Sequence, residues 1–142
     1  MDTSTLKKIE PQVLVKVYFS ISSQSYDLDF VSEELNLRPT CLYRIGEKQT
    51  YKPAIENSWS LGTEYEESLD ISEQLGKVMR LLYNKENKLI QLKEKFELHY
   101  KIFIVIKMYS EQTPSVFLSK KEIDFASNVG AEFDFDMYVS NS

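Results

Sequence analysis

Apolar and polar positions alternate most regularly over Leu98–Tyr109. Leu98, Tyr100, Ile102, Ile104, Ile106 and Met108 form a set that is apolar throughout. His99, Lys101, Phe103, Val105, Lys107 and Tyr109 form the other set, apolar at its centre and polar towards its ends. Successive side chains of a strand point to opposite faces, and a run of β-branched and aromatic residues free of Gly and Pro suits that geometry. The stretch predicts a central strand with helices on its even-numbered face and partial cover opposite.

The same period-two pattern marks both ends of the chain. Val13, Val15, Val17, Phe19 and Ile21 share one face of a first strand, with Leu14, Lys16, Tyr18 and Ser20 on the other. In a last strand, Ala131–Val139, residues Ala131, Phe133, Phe135, Met137 and Val139 point inward; Glu132, Asp134, Asp136 and Tyr138 point outward. Between them, Asp27 is expected to cap a helix running to about Asn36, with Pro39 forbidding continuation. Short strands are expected over 40–45 and 58–62, the second centred on Trp59, separated by a turn at Gly46-Glu47 and a polar loop. Residues 64–67 read as exposed and acidic. Asp70-Ile71-Ser72-Glu73 starts a helix whose stripe is Ile71, Leu75, Val78, Met79 and Leu82. After a break at 84–87, a second helix to Lys95 turns Leu89, Leu92 and Phe96 inward. Ser119-Lys120-Lys121-Glu122 is a capping box; Ile123, Ala126 and Val129 form the expected buried stripe, and Gly130 the stop.

These elements predict an α+β fold: a two-layer sandwich with a mainly antiparallel sheet and helices on one face. Strand, connection, capped helix and strand over 13–45 recur over 98–139, a ferredoxin-like repeat of pattern without residue identity. Residues 1–12 read as a flexible tail and 13–140 as a single domain.

Composition narrows the function classes. A chain of 142 residues, 42% hydrophobic and 27% charged, is long enough to bury a core. The net charge of −5 argues against general nucleic-acid or anionic-membrane binding. No apolar run approaches the roughly 20 residues of a membrane span. Val13–Ile21, which follows Lys7 and Lys8, is too short for a signal sequence, carries Lys16 and lacks a small-residue cleavage site. One cysteine, Cys41, and one histidine, His99, build neither an internal disulfide nor a Cys/His zinc site from this chain alone. A cytoplasmic protein without cofactor is expected.

Leu35-Asn36-Leu37-Arg38-Pro39-Thr40, then Arg44-Ile45-Gly46-Glu47, Trp59-Ser60-Leu61, a capped amphipathic helix and the closing Asp136-Met137-Tyr138-Val139 follow in an order and spacing that resemble the domain of unknown function 4279 family. The resemblance covers about residues 13–139. It implies a stand-alone bacterial or bacteriophage protein and implies no activity.

Two charged groups are candidates for chemistry. Glu132, Asp134 and Asp136 project from one strand face about 7 Å apart. They read as a solvated face, a surface for a basic partner shared with Tyr138, or a pair sharing a divalent cation. Arg38, Arg44, Lys48 and Lys52 against Glu47 give residues 38–52 a local charge of +3, with Tyr43 and Tyr51 among them. Arg44, Lys48, Tyr51 and Trp59 are therefore candidates for holding a small anionic ligand; the plain alternative is a solvated loop and a core tryptophan. Arg44 is either a pin for the turn or a clamp held ready with its charge unpaired. Neither His99 nor Cys41 has a companion motif for catalysis. The expected function is a non-enzymatic module that binds another protein, with a toxin-neutralising or defence-counteracting role in keeping with its acidic character. The alternatives are a ligand-binding module at Arg44 and Trp59, and a metal-dependent enzyme using the terminal carboxylates.

Overall fold

The computed structural model describes residues 12–140, so the tail expected over 1–12 lies outside them apart from Gln12. In chain order the elements are β1 (Val13–Ser23), α1 (Val31–Leu35), β2 (Cys41–Tyr43), β3 (Asn57–Gly62), β4 (Glu66–Glu67), α2 (Ile71–Leu82), a 3-10 turn (Tyr83–Lys85), α3 (Glu86–Lys95), β5 (His99–Met108), α4 (Lys120–Val129) and β6 (Ala131–Val139). The six strands make one sheet in the order β2-β3-β1-β5-β6, with β4 beside β1 off that path. All pairs are antiparallel except β5 with β6.

β5 has β1 on one edge and β6 on the other, the central place its pattern requires. Its even-numbered side chains and the odd-numbered ones of β1 are buried on the same face. Helices cover that face through Ile71, Leu75, Val78, Met79 and Leu82 of α2, Leu89 and Leu92 of α3, and Phe125, Ala126 and Val129 of α4. Tyr100 carries a hydroxyl into this core and donates it to the Leu89 carbonyl at 2.7 Å, so the buried polar atom is satisfied. Asp70 caps α2 through the Ser72 amide at 2.9 Å. The Ser119–Glu122 capping box of α4 forms in both directions, and Gly130 ends that helix with φ +73°.

The structure departs from the sequence pattern in four places. α1 is shorter than expected and has no side-chain cap; Asp27 lies before it and pairs with Arg44 instead. The 64–67 segment contains a strand, β4, whose Glu66 faces Val15 and accepts from Lys77 of α2 at 2.8 Å. The break after α2 is a single 3-10 turn, so α3 begins already at Glu86. In α4 Phe125 is buried and Ile123 is 49% exposed. The Phe125 ring packs edge-on against Tyr83 of the 3-10 turn, with centroids 5.6 Å apart, and that contact favours Phe125 over Ile123 on the inner side of the helix. The repeat of pattern does not extend to pairing either. β6 lies beside β5, whereas β3 separates β2 from β1.

Gly62 sets the spacing of β3 and β1. It lies opposite Tyr18, and a Cβ there would come within 2.3 Å of the Tyr18 Cβ and 2.4 Å of the Val17 carbonyl oxygen. Neither is the yielding end of a side chain. Gly62→Ala is therefore expected to lose about 1–3 kcal/mol in chemical denaturation, by forcing the two strands apart. A loss under about 0.5 kcal/mol would show that the pair relaxes freely.

Candidate functional site on the uncovered face of the sheet

The face opposite the helices collects side chains from β1, β2, β3, β5 and β6 in rows set by register. One row runs Gly62, Tyr18, Phe103, Asp134; the next Lys16, Val105, Asp136; the next Leu14, Lys107, Tyr138. On the other side lies Cys41, Ser60, Ser20, Lys101, Glu132. Aromatic rings dominate its centre. Tyr18 and Phe103 stack with centroids 4.7 Å apart. Tyr65, just before β4, lies under two cations, with Lys107 at 4.3 Å and Lys16 at 5.4 Å from its ring. Such contacts combine apolar area with electrostatic attraction and hold the lysine heads over the sheet.

Partial burial raises the Tyr18 phenol from 10.0 to about 12, with further contributions from Asp136, Tyr65, Asp134 and Tyr138. The phenol stays neutral because an added negative charge would be poorly solvated and would face two carboxylates.

Two depressions open on this side. The first, of about 350 Å³, is bounded by Lys16, Tyr18, Tyr43, Ser60, Thr63 and Phe103 among others. The second, of about 470 Å³, is bounded by Tyr51, Tyr65, Lys107, Tyr109, Tyr138 and Val139 among others. Their volumes fall in the range of small-ligand sites, though both are shallow.

The residues singled out from the sequence fall in different places. Trp59 is 0% exposed on the helix-covered face, and its indole N–H donates to the Ser32 hydroxyl at 3.0 Å, so no ring face meets solvent. Arg44 is exposed but surrounded by carboxylates: Asp29 at 2.7 Å, Asp27 at 3.6 Å and Glu47 at 3.7 Å. Those acids hold its guanidinium above its ordinary pKa, chiefly through the Asp29 hydrogen bond. This is the geometry of a pin rather than of a cation left open for an anion. Lys48 pairs in a single bridge with Pro53 at the base of a small hairpin, and Tyr51 at its tip is 97% exposed. Arg44, Lys48, Tyr51 and Trp59 thus do not converge. Tyr51 does join Tyr138, from the other candidate set, in the second depression. Of the outward acids, Asp134 meets Lys101 at 3.6 Å. Among the described residues no group of three His, Cys, Asp or Glu side chains is placed to hold a metal ion.

Lys16, Tyr18, Tyr65, Phe103 and Lys107 were not singled out by sequence reasoning. The apolar centre of the odd-numbered face of β5 was a signal for Phe103. Tyr65 had none, because β4 is two residues long.

The fold and this face define an α+β sandwich in which one side of the sheet is left to make contacts of its own. Among the described residues no helix is long and apolar enough to cross a membrane. The chain belongs to the DUF4279 family, a domain of unknown function, whose model matches residues 13–140. No curated protein and no solved structure matches it.

Three variants test this geometry. The Arg44–Glu47 turn has Gly46 at φ +89°, with the Glu47 amide donating to the Arg44 carbonyl at 3.0 Å. Gly46→Val is expected to cost about 1–3 kcal/mol through backbone strain. Arg44→Ala should lower the melting temperature in the same direction, and by less at high salt, because the pairs it removes are exposed. An Arg44→Ala protein as stable as the wild type at low salt would rule out the pin. For Tyr18, the folded state holds a proton that the unfolded state loses near pH 10. Its stabilising effect is complete below pH 10 and is lost as pH rises towards about 12. Tyr18→Phe keeps the stack and should flatten that loss by about 1 kcal/mol, allowing for partial exposure. Denaturation midpoints of both proteins across that range supply the check.

Proposed function

We propose that this chain is a non-enzymatic protein-interaction module and that the uncovered sheet face is its contact surface. The observation that carries the reading is the row of aromatic side chains on that face. Tyr18 and Phe103 are stacked, and Tyr65 is clasped by Lys16 and Lys107. Tyr51, Tyr109 and Tyr138 are exposed around the second depression. Tyrosines supply large, stiff contact area with a hydrogen-bonding tip and are enriched where proteins meet. The acidic balance of the chain favours a basic partner through steering and charge matching. Neutralising a basic toxin or counteracting a defence protein in a bacterial or phage-infected cytoplasm is the setting that suits such a module.

A second reading has one observation in its favour. The first depression is walled by the hydroxyl-bearing side chains of Ser20, Thr40, Ser58, Ser60 and Thr63 beside Lys16. That lining suits a small polar ligand better than the region of Arg44 and Trp59 does.

Immobilised wild-type chain and a Tyr51→Ala/Tyr138→Ala variant, compared in extracts of the native host, separate the two readings. Both positions are exposed, so the melting temperature should be almost unchanged. The module reading expects a protein that the wild type retains at defined stoichiometry and the variant releases. If no protein depends on these tyrosines and native mass spectrometry finds a small molecule on the purified chain, the ligand reading replaces it.

A further inference from the structure

Strand β6 ends the sheet, and its outer edge is built to accept another strand. The Ser140 amide donates to the Met108 carbonyl of β5 at 2.9 Å. In a parallel pair the backbone groups alternate in direction from residue to residue. Asp134, Asp136 and Tyr138 therefore turn their N–H and C=O groups to β5, while Phe133, Phe135 and Met137 turn theirs outward. Among the described residues no strand lies beyond them. β6 is nine residues long and pairs one-to-one from Ala131 to Val139 without a bulge. It contains no Pro, Gly or Lys. Of the usual devices that blunt an edge, β6 lacks shortness, proline, lysine and a bulge. Its charges are Glu132, Asp134 and Asp136, all on one face, and they discourage an acidic strand rather than a cationic one.

What flanks this edge selects its occupant. On the open face stand Glu132, Asp134 and Asp136. On the helix face Phe133 and Phe135 are half-buried, Met137 is 55% exposed and Val139 68%. Ile123 adds to that apolar side. α4 meets the α3 region through Lys121, Phe125 and Asn128. The helical repeat places Ile123, 49% exposed, on the opposite flank of α4, the one turned away from α3. A second copy of this chain is a poor occupant, because pairing β6 with itself sets carboxylate against carboxylate on one face.

We propose that the outer edge of β6 binds an extended segment of a partner protein in which cationic and apolar residues alternate. Its backbone takes the outward groups of Phe133, Phe135 and Met137. Its lysines or arginines face Glu132, Asp134 and Asp136, and its apolar side chains cover Ile123, Met137 and Val139. This is strand addition, with affinity from the main chain and selection from alternate side chains. The inference rests on the interaction-module reading.

The test uses the purified full chain and a capped synthetic peptide alternating lysine and valine, so its failure is distinct from a failure to capture a host partner. The peptide is expected to bind in the micromolar range and more weakly as salt rises. A glutamate-for-lysine peptide should bind at least about tenfold more weakly. Amide exchange read residue by residue should slow at Phe133, Phe135 and Met137, while Asp134 and Asp136, already paired to β5, stay unchanged. Met137→Pro removes an outward N–H and leaves the β5 ladder intact, so it should abolish binding in a folded chain. If that variant does not fold, the exchange pattern decides. Binding without protection at the three outward amides overturns the proposal, as does equal binding of the glutamate peptide or no binding at about 1 mM.

Discussion

The antiparallel ladder between β1 and β5 is the constraint on which the other elements depend. It pairs Val13 with Met108 and continues without interruption to Ser22 with His99. Both strands are apolar on one face, and the register puts those faces on the same side. Sliding either strand by one residue would turn Val15, Val17 and Phe19, or Ile102 and Ile104, away from the helices and onto the opposite face. Burial on one side thus holds the register tightly, and each free edge then follows. β3 and β4 share the remaining edge of β1, and β6 takes that of β5. The ladder joins segments separated by most of the chain, so residues 24–98 must be closed into a loop before it yields any burial. The hairpin-like and helical pieces within that loop are suited to form alongside it.

Much of this architecture was legible because its signals are local. Alternation over 13–21, 98–109 and 131–139 identified three strands, and the spacing of Ile71, Leu75, Val78, Met79 and Leu82 identified the inner face of α2. The Ser119 capping box located the start of α4. What escaped was non-local. The pattern put Ile123 on the inner face of α4 with Ala126 and Val129, but Phe125 takes that place, against Tyr83 across the helix layer. β4 is too short to carry a period, and it exists as a strand because β1 offers it an edge at Leu14 and Val15. For Arg44, the sequence left pin and clamp open, since Asp27 and Asp29 come from a different loop and become neighbours only in the folded chain. The candidate site was hardest to read. Its rings lie on several strands, and only register brings Tyr18 over Phe103 and sets Lys107 beside Tyr138.

The uncovered face and the β6 edge are physically one surface. Asp134 sits in the same row as Tyr18 and Phe103, and Asp136 in the row of Lys16 and Val105. The two carboxylates that flank the free edge also help to raise the Tyr18 phenol, after the larger effect of its burial. The coupling runs in both directions. A cation brought against Asp134 or Asp136 by a strand at the edge offsets the negative potential that those acids exert on Tyr18, so the phenol should ionise at lower pH when the edge is occupied. Covering the ring from above acts in the opposite sense, because removing water from around the phenol penalises its anion further. A partner at the edge alone and a partner lying across the face would therefore move the same titration in opposite directions. Tyr18 is not part of the edge, yet its ionisation distinguishes the two ways in which this surface can be filled.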